Sequence, residues 1–123
     1  MKKNRPLILL VYVVLCYTAT AQKIPTPSVY YPIKIEKDGE QKIISRDSIP
    51  FAIEFLDGNN IAWKEMNTLY YSMRHCIYVV KNNKMEIRFL DSSNLVLLYD
   101  LEFPDERTIV MRNPKQKIFI RRE

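Results

Sequence analysis

Apolar and polar side chains alternate along most of this chain, and that period of two restricts its fold more than any other feature. Because successive side chains of a strand point to opposite faces, alternation predicts strands that are buried on one face. The pattern starts at Val29 and continues to the last residues. Its longest run is formed by Leu95, Leu97, Tyr99, Leu101 and Phe103. The chain is therefore expected to be all-β.

Short polar turns interrupt the alternation. The clearest are Asp38-Gly39, 57–60, Asn82-Asn83 and Asn113-Pro114. Gly, Asn and Asp adopt a positive φ at little cost, which tight hairpin turns require. Turns about every 8 to 12 residues predict a small antiparallel meander of about eight or nine strands, in a single β domain over 29–123. Closure as a barrel or a sandwich would remove the unpaired edges that an open sheet leaves exposed.

The segment 62–73 fits two kinds of secondary structure. Five residues fall on one face of a helix, namely Ala62, Met66, Leu69, Tyr70 and Met73. A short helix here, capped by Asn60, could lie across one mouth of a barrel. In that arrangement Trp63, Tyr70 and Tyr71 would line a ligand cavity. The alternative is a strand whose aromatic side chains pack in the barrel, and the many large residues favour a filled interior.

The first 21 residues predict a secretory signal peptide. A basic start contains Lys2, Lys3 and Arg5. The apolar run 7–17 follows and is too short to span a bilayer of about 30 Å. Ala19 and Ala21 then occupy the −3 and −1 positions of a cleavage site. We therefore expect an exported protein, periplasmic or at the cell surface or secreted, with no transmembrane segment once the leader is removed.

Two alternatives to a cleaved leader remain open. One is an uncleaved membrane anchor. The other is a lipoprotein signal, because Cys16 ends the apolar run, although Leu15 stands where such signals carry a small residue. After the leader, 22–28 contains Pro25 and Pro27 among polar residues and predicts a short extended lead-in.

Removal of the leader changes the charge and the cysteine content. The full chain has 19 Lys and Arg against 14 Asp and Glu, and its net charge of +5 includes three cations from the leader. The mature chain is therefore nearly balanced, which makes nucleic acid an unlikely partner. Cys76 is its one remaining cysteine, so an internal disulfide is excluded and stability must come from the core.

Several hairpin motifs resemble those of small exported β-barrel domains of bacterial envelopes, the lipocalin-like and META-type families. The motifs are Ile53-Glu54-Phe55-Leu56-Asp57-Gly58-Asn59, Tyr78-Val79-Val80-Lys81-Asn82-Asn83-Lys84-Met85-Glu86-Ile87, Leu101-Glu102-Phe103, Thr108-Ile109-Val110-Met111 and Lys117-Ile118-Phe119-Ile120-Arg121-Arg122. The chain lacks the Gly-x-Trp opening of lipocalins and the Gly-Cys-Asn turn of META domains. The resemblance implies a β-barrel with a non-catalytic envelope or binding role.

The end of the chain is its most basic part. Residues 107–123 hold six cations and one anion. On the last predicted strand Lys117, Phe119 and Arg121 share a face, and an aromatic ring between two cations suits an anionic glycan or a phosphate-bearing surface. The predicted binding residues are Arg112, Lys117, Phe119, Arg121 and Arg122. The alternative is a solvated edge strand that its charges protect from aggregation.

The residue inventory argues against most catalysis. With 2 Gly and 1 His, the chain cannot form a dinucleotide or phosphate-binding loop or a multi-histidine metal site. His75 and Cys76 are neighbours on a predicted strand, so their side chains diverge, and Cys76 is expected in the core. The sequence predicts no catalytic residue, no cofactor and no metal. Cross-strand carboxylates such as Asp100 and Glu102 leave a small hydrolase as an alternative.

These observations favour an exported, non-enzymatic envelope protein, a small β-barrel that acts as a binding or assembly module. Its expected partners are an envelope protein, a glycan or an anionic lipid. The alternatives are the carboxylate-dependent hydrolase and a structural subunit of an envelope complex.

Overall fold

The computed structural model describes residues 24–66 and 71–123, with the backbone alone for Tyr71. The predicted signal peptide therefore lies outside the described residues. The strands are β1 (Ser28–Lys37), β2 (Glu40–Ile43), β3 (Phe51–Leu56), β4 (Asn60–Met66), β5 (Tyr71–Lys81), β6 (Lys84–Phe89), β7 (Val96–Glu102), β8 (Thr108–Arg112) and β9 (Gln116–Arg122). A single 3₁₀ turn, Arg46–Ser48, is the one helical element of the described chain.

The strands form one antiparallel sheet that closes into a barrel. β3 to β9 follow one another in sequence order, and β1 pairs with both β3 and β9. Tyr30 of β1 lies opposite Ile53 of β3 on one side and opposite Arg122 of β9 on the other. The prediction of an all-β meander is confirmed, and of the two closures that it left open the structure has the barrel, with eight strands.

The ninth strand, β2, lies outside the closed barrel. It pairs only with the second half of β1, from Lys34↔Ile43 to Lys37↔Glu40, whereas β3 pairs with the first half. All four β2 residues are exposed. The chain then returns to the barrel through 44–50, where the Ile44 N–H donates a 3.0 Å hydrogen bond to the Ile33 carbonyl. This connection therefore runs beside β1.

Three of the four predicted hairpin turns, all except Asn113-Pro114, contain residues with a positive φ. Asp38 and Gly39 have φ of 53° and 76°, and Asn82 and Asn83 have φ of 54° and 58°. These residue types tolerate the left-handed region, so the chain reverses at low conformational cost. Each turn therefore fixes the register of the hairpin that it joins.

The helix alternative for 62–73 is wrong wherever that segment is described. Residues 62–66 belong to β4 and 71–73 to β5, and Lys64 pairs with Met73. The strand prevails because Ile61 and Trp63, two residues apart, both face the core, whereas Met73 of the proposed helical face is 61% exposed. Burial of every second side chain in the barrel core thus determines the secondary structure here, although the apolar residues also fit one face of a helix. Residues 67–70 lie outside the described chain.

Large side chains fill the barrel interior. The buried cluster contains Tyr30, Ile53, Phe55, Ile61, Trp63, Cys76, Tyr78, Met85, Ile87, Phe89, Tyr99, Leu101, Ile109, Met111, Ile118 and Ile120. The rings pack at specific angles: Phe55 meets Tyr30 and Tyr78 edge-on, with centroids 5.4 and 5.3 Å apart. Such contacts add to the burial of apolar area, and the expectation of a filled interior is confirmed.

Candidate functional site

The β8–β9 hairpin carries the basic end of the chain on its outer face. Ile118 and Ile120 point into the core, so Lys117, Phe119 and Arg121 face outward together, as the alternation predicts. The structure divides this predicted surface into two parts with different surroundings, one around Phe119 and one around Arg121.

The ring of Phe119 is occupied by cations of the protein itself. The Nζ of Lys34 lies 4.1 Å from the ring centroid, and the Nζ of Lys117 lies 5.2 Å from it. Val110, the cross-strand neighbour of Phe119, is 2% exposed although it lies outside the core cluster. Phe119 therefore helps to cover the outer wall, and its ring already has cation–π partners.

Arg112, at the end of β8, also has a partner within the chain. Its Nη2 lies 2.5 Å from Oε1 of Glu102 on the neighbouring strand β7. Both side chains are about half exposed, so this pair contributes only about 0–1 kcal/mol. The binding role of Arg112 stays a prediction, with an opposite charge beside its guanidinium.

Arg121 and Arg122 lie in a groove on the outer wall, where two further arginines join them. We call this the arginine groove, after Arg46, Arg107, Arg121 and Arg122. It has a volume of about 820 Å³. Its apolar lining consists of Tyr31, Pro32, Ile33, Ile44 and Ile49, and Glu123 is the one acidic residue that lines it. Another depression is also lined by four cations, but three acidic residues, Glu36, Asp38 and Glu40, line it as well. The arginine groove differs in having a single acidic residue.

Local turn chemistry places two of these arginines. Ser45 caps the 3₁₀ turn by accepting a 3.2 Å hydrogen bond from the Asp47 N–H, which sets Arg46 beside β1. In the β7–β8 loop, Asp105 accepts hydrogen bonds from the Arg107 N–H at 2.8 Å and from the Thr108 hydroxyl at 3.1 Å. These bonds hold the pKa of the Asp105 carboxyl below its usual value, with a smaller contribution from Arg121.

The four guanidinium groups are not equally available. Arg122 donates to the Glu106 carbonyl at 3.3 and 3.1 Å. Burial raises the pKa of the Tyr30 phenol, and the nearby Arg122 opposes that shift. Within 24–66 and 71–123, Arg46 has one partner, Glu123 at 3.5 Å. Among the described residues, the side chains of Arg107 and Arg121 make no hydrogen bond or ion pair. Arg46, Arg107 and Arg121 can therefore bind an anion from solution.

Arg74 closes one end of the barrel. Its guanidinium lies 4.2 Å from the centroid of Phe89 and bonds Asp91 at 2.6 Å, Ser93 at 2.9 Å and Glu65 at 3.3 Å. The bond from Arg74, with help from Ser93, holds the pKa of the Asp91 carboxyl far below its usual value. The sequence interpretation missed this cluster, because Asp91 and Ser93 showed only as turn residues.

Trp63 lies beneath this closure. Its ring stacks on Phe51 at 5.1 Å between centroids and packs against Phe89 at 5.6 Å. It is 9% exposed. Of the three residues predicted to line a cavity, Tyr70 and the side chain of Tyr71 lie outside the described residues, so Trp63 alone can be placed, and it lies in the core.

The candidate catalytic groups are dispersed. Asp100 lies 4.0 Å from Lys84, and Glu102 pairs with Arg112, both on the outer face. His75 bonds the Asn60 side chain at 3.1 Å, whereas Cys76 faces the core and burial raises the pKa of its thiol to about 11. Within 24–66 and 71–123, no three His, Cys, Asp or Glu residues are grouped to hold a metal. This arrangement does not favour the hydrolase alternative.

The arginine groove is formed by residues that lie far apart in the sequence, so the sequence pattern could not predict that they meet. Arg107 stands within the basic segment, but Arg46 lies in the β2–β3 connection and reaches the groove only because β1 pairs with β9. The one sequence signal for this groove was the number of cations near the end of the chain.

Helices long and apolar enough for a membrane span do not occur in the described part of the chain.

The sequence matches no protein-family model and no curated protein. Two solved structures share the fold. A lipocalin-like protein from Bacteroides uniformis has a TM-score of 0.66, with 10% identity over 78% of this chain and 96% of its own. An uncharacterized protein from Bacteroides eggerthii has a TM-score of 0.64, with 10% identity over 78% of this chain and 98% of its own. The resemblance to small bacterial lipocalin-like barrels is confirmed at the level of the fold.

Proposed function

We propose that the protein is an exported binding module that takes an anionic ligand in the arginine groove on the outer wall of its barrel. The observation that carries this proposal is the convergence of four arginines on one groove that a single acidic residue lines. Guanidinium forks match carboxylate and phosphate oxygens in a bidentate manner, so arginines suit this role better than lysines.

The filled interior supports an outer site. Lipocalin-like barrels of eight strands have room inside for side chains or for one small ligand. Here Tyr30, Phe55 and Met85 occupy the interior and are at most 1% exposed. Entry of a ligand would require these side chains to move, whereas the arginine groove is already open to solvent.

Export is the second part of the proposal, and the leader pattern at 1–21 supports it. An exported module with a basic groove would meet anionic glycans, lipids and proteins of the envelope. Mass spectrometry of the protein recovered from fractionated cells should find it outside the cytoplasm with Gln22 as its first residue. An intact leader on a cytosolic product would contradict export.

Binding is tested with inorganic tripolyphosphate, a small polyanion, by isothermal titration calorimetry at low and moderate salt. The groove variant carries Arg46→Gln, Arg107→Gln and Arg121→Gln. A matched control carries Lys81→Gln, Lys84→Gln and Arg88→Gln on β5 and β6, which lie across the ring of strands from β9 and β1. Both variants lose three charges, so non-specific attraction falls equally.

We expect the groove variant to bind tripolyphosphate at least about tenfold more weakly than the control. Equal affinities in the two variants would overturn the proposal, because they would show attraction to the net charge alone. Absence of binding to the unmodified protein would overturn it as well.

A further inference from the structure

We infer that the ligand of the arginine groove is a phosphate monoester joined to an apolar group. This inference rests on the proposed function and deepens it. It combines three features of the groove, namely its excess of cations, its apolar lining and its volume.

The charge of the groove favours a dianion. Arg107 and Arg121 are unpaired among the described residues, and Arg46 has only Glu123 at 3.5 Å. The Arg46 and Glu123 side chains are 89% and 73% exposed, so water competes strongly with their contact. A phosphate monoester carries a charge of about −1.5 to −2 at pH 7 and offers three acceptor oxygens. It therefore matches three guanidinium groups better than a carboxylate or a sulfate monoester, each of which carries one charge.

The lining beside these cations is apolar. Ile33, Ile44 and Ile49 contribute branched aliphatic side chains, and Tyr31 contributes a ring. Ile33 is 37% exposed, so part of this apolar lining is in contact with water. An apolar group attached to the phosphate would cover this surface and remove it from water. A free inorganic anion would leave it exposed.

The volume fits a small amphiphile. About 820 Å³ lies within the range of about 300–1,000 Å³ that small-molecule sites occupy. The site is also bounded on both sides, by the 44–50 connection and by the β7–β8 loop that carries Arg107. A phosphate with a short apolar chain can lie along such a groove without entering the barrel.

Glu123 is the group that this ligand would displace. Its carboxylate is the acidic side chain lining the groove, and it lies near Arg46 as a weak internal substitute for the ligand. Replacement of Glu123 by Gln should leave the fold intact and free the Arg46 guanidinium. We therefore expect Glu123→Gln to bind the phosphate monoester more tightly, by about two- to fivefold.

The test compares three probes on the unmodified protein by calorimetry, below their aggregation concentrations: methyl phosphate, decyl phosphate and decyl sulfate. We expect decyl phosphate to bind at least about tenfold more tightly than methyl phosphate, because only it covers the apolar lining. It should also bind more tightly than decyl sulfate, which has the same chain and one charge. Equal binding of the two phosphates, or of the two decyl esters, would overturn the inference.

Variants separate the two halves of the site. Ile44→Ser with Ile49→Ser should remove the advantage of decyl phosphate and leave methyl phosphate binding unchanged. Val79→Ser with Leu98→Ser, on the outer faces of β5 and β7, is the control, since these residues are 58% and 66% exposed and lie outside the groove. Loss of the decyl advantage in the control would overturn the inference.

Two further arms identify the source of the phosphate. Vesicles of phosphatidylcholine with and without phosphatidic acid report on a lipid headgroup in a membrane, and dispersed decyl phosphate reports on a soluble ester. Binding in either arm supports the inference, and binding in neither overturns it. Since tripolyphosphate would still bind the groove in that last case, failure of the inference remains distinguishable from failure of the proposed function.

Discussion

The guanidinium of Arg74 lies 4.2 Å from the ring centroid of Phe89 and forms a cover over one end of the barrel. Glu65 and Asp91 hold it there from two sides. Arg74 is on β5, Glu65 is on β4 and Asp91 follows β6, so the cluster links three consecutive parts of the sheet. It protects the aromatic core from water where the strands end.

Replacement of Arg74 by Ala should lower the free energy of unfolding by about 1–2 kcal/mol, through loss of the cation–π contact and of the packing of its stem. The matched control is Arg88→Ala, whose partner Glu86 is two residues away on the same strand and whose side chain is 59% exposed. Loss of the Arg88 side chain should lower the free energy of unfolding by less than about 0.5 kcal/mol. Urea unfolding followed by tryptophan fluorescence measures both, and equal losses would contradict the role of Arg74 as a cover.

Acid should weaken the same cluster through Asp91. The pKa of this carboxyl is lower in the folded protein than in the unfolded chain, because Arg74 and Ser93 bond its charged form. Its contribution is therefore fully present above the unfolded value and is lost as the pH falls toward the folded one. Melting temperatures measured from pH 6 to pH 3 should fall less steeply for Asp91→Asn than for the unmodified protein. The surface variant Asp47→Asn should retain the steeper fall, and identical slopes in all three proteins would refute this role of Asp91.

The buried thiol of Cys76 should be inert in the folded protein. Burial raises its pKa to about 11, so the thiol is protonated at neutral pH and cannot act as a nucleophile. Labelling with iodoacetamide at pH 8 should be slow in buffer and fast in urea, as mass spectrometry would record. Rapid labelling of the native protein would mean that the β5 core position opens readily.

The strands could be predicted from sequence because burial of one face requires apolar and polar residues to alternate along the strand. Ile87 and Phe89 face the core, and Glu86 and Arg88 face out, as their alternation indicates. The turns were equally predictable, since Asn82-Asn83 carries its preference for positive φ locally. Both properties depend only on near neighbours in the chain.

The closure and the groove could not be predicted, because both depend on distant pairing. Whether the meander becomes a barrel or a sandwich is settled by β1 meeting β9, and no local pattern encodes that contact. The same pairing brings Arg46 beside Arg121. The position of β2 outside the barrel also follows from pairing, since its four exposed residues pair only with the second half of β1.

The turn between β5 and β6 offers a test of backbone strain. Asn83 has a φ of 58°, and its carbonyl accepts a 2.7 Å hydrogen bond from the Leu101 N–H, so the turn also supports β7. Asn83→Ala should unfold about 1 kcal/mol more easily than Asn83→Gly, because a Cβ is disfavoured in the left-handed region. At Ser92, a turn residue without a positive φ, Ala should be no worse than Gly. Urea midpoints of the four variants measure the difference, and a similar gap at both positions would exclude strain as its cause.

Variants of Phe119 test whether the outer face of the basic β8–β9 hairpin has a structural role or a binding role. Its ring lies beside Val110 and under two ammonium groups, so Phe119→Ala should lower the free energy of unfolding by about 1–2 kcal/mol. Phe119→Leu should lose less, because a leucine still covers Val110. Neither variant should change the affinity for tripolyphosphate by more than about twofold, since the ring lies outside the arginine groove. Loss of tripolyphosphate binding in Phe119→Ala at unchanged stability would contradict the groove as the binding site. It would place the anion at this ring, between Lys34 and Lys117.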